Sequence, residues 1–538
     1  MKPRLVLILI WLAFLARGAF YATVIPIWEG LDEWAHFAYV HHLTTFGTLP
    51  RPEDRASEEI SRSLQLVPIP WYLREMPAPA VTHDVYWGLP EGDRSQRESA
   101  FDGLPADAQL KPGTEFLYEG KQPPLYYLIC APLLKLAGGA SLATRVLLLR
   151  LLTVLMVSLV VPLSFAIARR VFGATTPAIL IAILLAAMPV LSMTGARIAN
   201  DGLAIVLFSI LALALLRSDP WDWRGCLLIG FTLGAGLLTK AYFVASAPVL
   251  VVAGATAIWN ASSEKRLRVA GLVSASAILA IAISAWWYVR ILGVPGPVWA
   301  DVAPAVSPGA SGVLTQILRM PWWQAVTGAL DMHFWFAGWS FLFVRSWIYH
   351  VLRWVFLLLL LGGFVAMLRN MRKSSGLPVL WGLYAGFWGA MMYHALVTFM
   401  SVGIPSSTGH YLYAVVACEG VLLYSGMRQL VPSQWQDRAM LLFIGLFLLL
   451  ETYATHFVLM PYYTGLIRHR PDTSLLVFHV SQALEPGWNE ILLRLAVHKP
   501  GFVSLRIIVL VWGAFLTASA GLFALAYREV RSSRTLGS

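Results

Sequence analysis

Charge is scarce in this 538-residue chain: Asp, Glu, Lys and Arg together make up 13% of it, about half of the roughly 25% usual in soluble proteins. With 58% hydrophobic residues and a mean hydropathy of +0.67, that scarcity excludes a water-soluble globule of this size. Cysteine is nearly missing too. Cys130, Cys226 and Cys418 all fall in or beside apolar stretches, a pattern of neither a disulfide framework nor a zinc site. The chain has no metal-binding motif, Walker loop, dinucleotide fingerprint or Gly-x-Ser-x-Gly elbow. It also lacks a polar inner-side domain, which argues against a nucleotide-driven pump and against direct use of a cytosolic nucleotide-sugar.

What is there is a series of apolar runs about 20 residues long, the pattern of an all-α polytopic membrane protein. Spans are expected at about 5–25, 145–168, 176–196, 202–217, 225–239, 241–259, 269–291, 347–368, 377–400, 410–427, 439–459 and 503–526, twelve in all. The first run is read as an uncleaved span, because it is long and no small-x-small cleavage site precedes Pro26. Only Lys240 separates 225–239 from 241–259, which suggests a tight helical hairpin. The net charge of +11 does not indicate nucleic acid, since the bases sit in short loops between apolar runs.

Charge also sets the topology. The run 122–138 contains Lys135 and would make a thirteenth span. If it lies at the interface instead, both termini and five short connections share one face. Seventeen bases, among them Arg169, Arg170, Arg266, Arg372, Lys373 and Arg534, then stand there against five acids. The positive-inside rule makes that face cytoplasmic and favours an interfacial or re-entrant helix at 122–138. The chain reads as one integral-membrane unit, 1–538, with outer loops at 28–144, 292–346 and 460–502. Residues 28–121 hold sixteen acids against eight bases. This loop is too long for a mere connector; it is expected to carry short amphipathic interfacial helices, with mobile parts near 90–115.

Chemistry gathers where the first span ends. Trp28-Glu29-Gly30-Leu31-Asp32-Glu33-Trp34-Ala35-His36 puts an acidic pair and a histidine at the outer boundary. An aspartate there can act as general base toward an acceptor hydroxyl, and neighbouring carboxylates raise one another's pKa. A plain interfacial charged pair ending a span accounts for the same residues. Arg145, Arg150, Arg197, Lys240, Arg290, Arg345, Arg353 and Arg506 fall near outer span ends, against the general trend. A phosphate at headgroup depth would explain the set, and snorkelling would explain any one member. Arg197-Ile198-Ala199-Asn200-Asp201 is either a substrate contact or a helix cap. The aromatic run His333 to Trp339 suits stacking on a sugar or an interfacial belt equally.

In order along the chain, these features resemble the GT-C superfamily of multi-spanning glycosyltransferases, in its protein mannosyltransferase and aminoarabinose transferase branch. The carriers are Asp32-Glu33 with His36 after the first span, Pro123-Pro124-Leu125-Tyr126-Tyr127 late in the first outer loop, Arg145 opening the next span, and Thr239-Lys240 in a hairpin. Asn200-Asp201 and Phe334 to Trp339 match more weakly. Two positions depart from the pattern: relatives often have Lys or His immediately before Pro-Pro, where this chain has Gln122 after Lys121. Many have Gly-Arg-Tyr at a late span, where this chain has Gly409-His410-Tyr411.

The resemblance implies a polyprenyl-phosphate-linked sugar donor, a lipid, glycan or protein acceptor, and inverting transfer on the extracytoplasmic face of the cell's inner membrane. It implies catalytic roles for Asp32 and Glu33. Substrate contacts are expected from His36, Lys121, Gln122, Tyr126, Arg145, Arg197, Asn200, Asp201, Lys240, His333, Trp335 and His410. Some members of the superfamily use a divalent cation, for which Asp32, Glu33 and Asp201 are the candidates. The competing function is a transporter or lipid flippase, which would need charges along a pathway through the bilayer and often shows matched halves.

Overall fold

The computed structural model describes residues 2–292, 310–370 and 376–535. Part of the expected second outer loop, 293–309, and the connection 371–375 with Arg372 and Lys373 lie outside the described residues. All twelve apolar runs are helical. Among the described residues, seven helices are long and apolar enough to cross a bilayer, eight if Thr175–Ala187 and Pro189–Gly195 count as one span bent by 65°. Pro189 accounts for that bend, because the residue before a proline is driven out of the helical region, and Met188 is extended. Asp201–Leu215 and Trp223–Leu237 are apolar but have fifteen residues each. At 1.5 Å per residue they reach about 22 Å, short of the roughly 30 Å hydrocarbon core, so twelve is an approximate count. The run opening at Gln122 yields Leu125–Leu136, twelve residues with Pro132 inside, about 18 Å long.

Helices Pro3–Val24 and Ser433–Ala454 share a buried ion pair. Arg17 Nη2 lies 2.7 Å from Glu451 Oε2, and the Tyr21 hydroxyl donates to Glu451 Oε1 at 3.0 Å. A charge at this depth persists only when paired.

The loop 28–144 is described throughout and contains more than helices. Glu33–Phe46, Glu58–Leu66 and Glu91–Asp102 are helical. Arg55–Ser57 pairs antiparallel with Pro112–Phe116, and Pro68–Ile69 pairs parallel with Val81–Thr82. The expectation of mobility near 90–115 is corrected here. Arg94 donates to the carbonyls of Trp87 and Leu89, Arg97 donates to that of Gln65, and Tyr86 donates to Glu98. These bonds tie down a stretch whose polarity alone reads as loose.

The three long loops interlock around the acidic motif. Glu29 is buried and accepts from both the backbone N–H and the hydroxyl of Ser340, each at 2.9 Å. Trp339 N donates to the Glu29 carbonyl. Gly338 makes the approach feasible: its φ is +58° and an added Cβ would lie 2.4 Å from the Glu29 carbonyl oxygen. His469 Nδ1 meets Asp84 at 2.9 Å, and Trp87 Nε1 donates to the Tyr463 carbonyl at 2.8 Å. Those two contacts bring in the third outer loop.

Candidate active site

Asp32 occupies the N-cap position of Glu33–Phe46, with φ at +54°, and Trp28 also has positive φ. Left-handed backbone is uncommon outside glycine and is held only when the surroundings over-determine it. Here the surroundings are Glu33 and Arg150. Glu33 is fully buried and takes two guanidinium bonds from Arg150, at 2.7 and 2.6 Å, plus one from Ile198 N at 3.2 Å. Arg150 also donates to the carbonyls of Ala22, Ile25 and Pro26. A single side chain thus caps the first helix and anchors the residue after Asp32. Asp32 itself is half-buried and accepts from the Tyr118 hydroxyl at 2.7 Å.

Beside this motif sits the knot Arg197–Asp201, with Gly30 packed directly against the Arg197 side chain. Asp201 is buried and shared by two cations, Lys240 Nζ at 2.6 Å and Arg197 Nη2 at 3.0 Å. His410 Nε2 lies 3.6 Å from the same carboxylate. Lys240 stands at the break between Trp223–Leu237 and Ala241–Ser246, its backbone extended. Its ammonium lies 4.8 Å from the Tyr411 ring centre and 5.5 Å from that of Tyr242, within cation–π range. Two cations against one carboxylate leave one positive charge. Around it, Arg197 Nε, Asn200 Oδ1, His410 Nδ1 and Ser407 Oγ are buried without a hydrogen-bond partner among the described residues. Each such group costs about 1–3 kcal/mol when left unmet, so their convergence points to a bound polar group.

Lys240 marks the mouth of an apolar cavity of about 760 Å³, walled by Leu237, Ile281, Ala285, Phe387 and Met391, with Gln122, Ser407 and Tyr411 at its polar end. A second, polar cavity of about 630 Å³ adjoins it through Leu292 and is lined by Tyr118, Lys121, Arg51 and Arg290. Asn200 Nδ2 donates to Gln122 Oε1 at 3.2 Å and to the Thr239 carbonyl at 3.1 Å, tying the Pro-Pro element to the hairpin break. His36 Nδ1 lies 2.8 Å from the Tyr127 hydroxyl. Burial, reinforced by the charge on Lys240, lowers the His36 pKa to about 3, so its imidazole is neutral at physiological pH.

The structure therefore brings Gln122, Arg197, Asn200, Asp201, Lys240 and His410 together, with Asp32 and His36 alongside. It places four expected substrate contacts elsewhere. Arg145 is buried in an ion pair with Glu59. The Tyr126 hydroxyl is sealed against Thr153. His333 Nε2 meets Glu419 at 2.8 Å within the helical core. Trp335 is completely buried, so its ring has no face to offer a sugar. Their types suited a site, but long-range partners absorbed them. Glu33 is likewise held by Arg150 and lines neither cavity. Tyr118 and Arg150 join the site without being among the expected substrate contacts. Tyr118 stands three positions before Lys121, and Arg150 is one of several bases near outer span ends, the only signals available.

A shared cation does not fit Asp32, Glu33 and Asp201. Glu33 is satisfied by Arg150 and Asp201 by Lys240 and Arg197, and no three His, Cys, Asp or Glu side chains gather as ligands among the described residues.

Residues 121–288, from Lys121 through Asn200, Asp201 and Lys240, match the family described as dolichyl-phosphate-mannose-protein mannosyltransferase. Over that stretch, less than half of the chain, the sequence is similar to that family. No curated protein matches its sequence. Among solved structures it is similar to ArnT from Cupriavidus metallidurans bound to undecaprenyl phosphate, at 15% identity and TM-score 0.45, covering 98% of this chain and 78% of that one. It is also similar to the oligosaccharyltransferase AglB from Archaeoglobus fulgidus in complex with an inhibitory peptide and a dolichol-phosphate, at 14% identity and TM-score 0.42, covering 83% of this chain and 55% of that one.

Proposed function

We propose that this mannosyltransferase-like membrane protein moves a sugar from a polyprenyl-phosphate donor to an acceptor hydroxyl on the extracytoplasmic side, with inversion. The carrying observation is the Lys240–Arg197–Asp201 cluster, whose Lys240 lines the apolar cavity, next to the Asp32 motif. One surplus positive charge suits the single negative charge of a phosphodiester donor. The apolar cavity between Ala241–Ser246, Ser263–Ile291 and Gly376–Val402 suits an isoprenoid tail. Retaining transfer commonly uses a second carboxylate as nucleophile. With Glu33 held by Arg150, one carboxylate remains to act, which favours a single inverting displacement.

Asp32, oriented by Tyr118, takes the acceptor proton as the acceptor oxygen attacks the anomeric carbon. The bond to the phosphate oxygen breaks, and the departing polyprenyl phosphate gains a second negative charge. Lys240 and Arg197 stabilise that charge where it develops. Glu33 and Arg150 position Asp32, and neutral His36 with Tyr127 packs behind it.

The test is sugar transfer by purified protein in lipid nanodiscs from polyprenyl-phosphate sugars. Asp32→Asn is expected to lower turnover by about 100-fold or more, in line with loss of a general base, while polyprenyl-phosphate binding stays intact. Full turnover in that variant would remove Asp32 as base.

A further inference from the structure

The proposed donor reading leaves the polar cavity of about 630 Å³ unused. Its walls are Pro50, Arg51, Pro52, Glu53, Tyr118, Gly120, Lys121 and Arg290 to Leu292. It touches the reaction centre at one point, Tyr118, whose hydroxyl donates to Asp32 at 2.7 Å. It touches the donor cavity at another, Leu292. A compartment between the base and the donor is where an acceptor must stand.

Its charge identifies the kind of acceptor. Arg51, Lys121 and Arg290 face one acid, Glu53, which approaches Arg51 at 3.9 Å with both side chains largely exposed. Such an exposed pair neutralises little. Arg290 donates to the Leu49 carbonyl at 2.9 Å, and neither it nor Lys121 forms an ion pair among the described residues. Two net positive charges therefore line this compartment, beside a loop, 28–121, that as a whole carries twice as many acids as bases. The walls of this cavity go against the loop's charge. Guanidinium and ammonium groups bind phosphate and carboxylate oxygens with charge-assisted bonds, and a neutral polyol gains less from them.

We infer that the acceptor carries a fixed negative charge, phosphate or carboxylate, close to the hydroxyl that receives the sugar, and that Arg51 and Arg290 hold that group while Asp32 takes the hydroxyl proton. This rests on the transferase reading for the role of the compartment, and its binding test is independent of turnover.

The experiment is equilibrium binding of sn-glycerol 3-phosphate, glucuronate and their neutral counterparts glycerol and glucose to the full chain in nanodiscs, with and without saturating polyprenyl phosphate. Both anions are expected to bind at least about tenfold more tightly than the neutral compounds, and the Arg51→Gln/Arg290→Gln double variant to lose that preference, as befits loss of charge-assisted bonds. Saturating polyprenyl phosphate should leave the anion bound. A preference for only one anion narrows the group to phosphate or carboxylate. Equal binding of charged and neutral compounds, an unchanged preference in the double variant, or displacement by polyprenyl phosphate would each overturn the inference. Transfer assayed with Asp32→Asn reports separately on the transferase reading: anion binding with no transfer in the unaltered chain would sink that reading and leave the anion site standing.

Discussion

Single residues here are defined by their partners. Asp201 lies among cations and sets the net charge of its cluster with Lys240 and Arg197. Replacing it with Asn would change that balance from one positive charge to two. The monoanionic donor gains less from the change than the dianionic product does, so Asp201→Asn should tighten inhibition by polyprenyl phosphate about tenfold while turnover falls. Progress curves with added polyprenyl phosphate read this directly, and unchanged product inhibition would remove the charge-setting role. Lys240→Gln shifts the balance the other way and should raise the donor KM by about 10- to 100-fold, the loss expected for a charge-assisted bond. Arg145 shows how partner decides role. At the opening of a span it reads as a phosphate ligand, yet Glu59, 86 positions earlier, takes its charge. Nothing local to either residue announces the pairing.

At the scale of elements, the short helix Glu33–Phe46 carries the acidic motif and two buried histidines. Burial lowers His36 to about 3 and His41 to about 4, and His498, in the third outer loop, to about 3. In the unfolded chain each would protonate near 6.5. All three therefore stabilise the fold above pH 6.5 and lose that contribution as pH falls toward 4, by about 1.4 kcal/mol per pH unit for each histidine. Thermal unfolding between pH 7.5 and 4.5 should show the midpoint dropping below pH 6.5. Replacing His36 and His41 together by Gln should flatten the drop. The pair between Pro3–Val24 and Ser433–Ala454 makes a second prediction. Arg17→Ala leaves Glu451 buried without a counter-charge and should destabilise by about 3–5 kcal/mol, as when one partner of a buried pair is removed. Thermal shift in detergent measures it, and a shift within error would mean Glu451 is compensated otherwise. The helical elements were readable because apolar runs of this length have few alternatives in a bilayer. The two small sheets were not, because two- to five-residue strands in a polar loop carry too little periodicity to stand out.

Across the whole molecule, three long loops meet: Glu29 joins the first to the second through Ser340 and lies 3.4 Å from His83, whose neighbour Asp84 holds His469 of the third. Glu29→Ala should loosen segments 68–87, 338–342 and 463–469 together, seen as faster amide exchange in all three. Exchange rising only in the immediate neighbourhood of the substitution would show the loops to be independent. By itself the sequence determined that the chain is helical and polytopic, that the acidic motif follows the first span, and that basic side chains collect near one set of span ends. It could do so because hydropathy, charge bias and short motifs are written in neighbouring residues. Tertiary structure alone decided which carboxylate meets which cation. Glu33 went to Arg150, Glu59 to Arg145, Asp201 to Lys240 and Arg197, and His333 to Glu419. Ion pairs between segments dozens to hundreds of residues apart depend on how helices dock and loops fold over them. The acidic pair is the clearest case: the sequence points to Asp32 as base but leaves the role of Glu33 open, and the docking of Arg150 against Glu33 leaves Asp32 facing Tyr118.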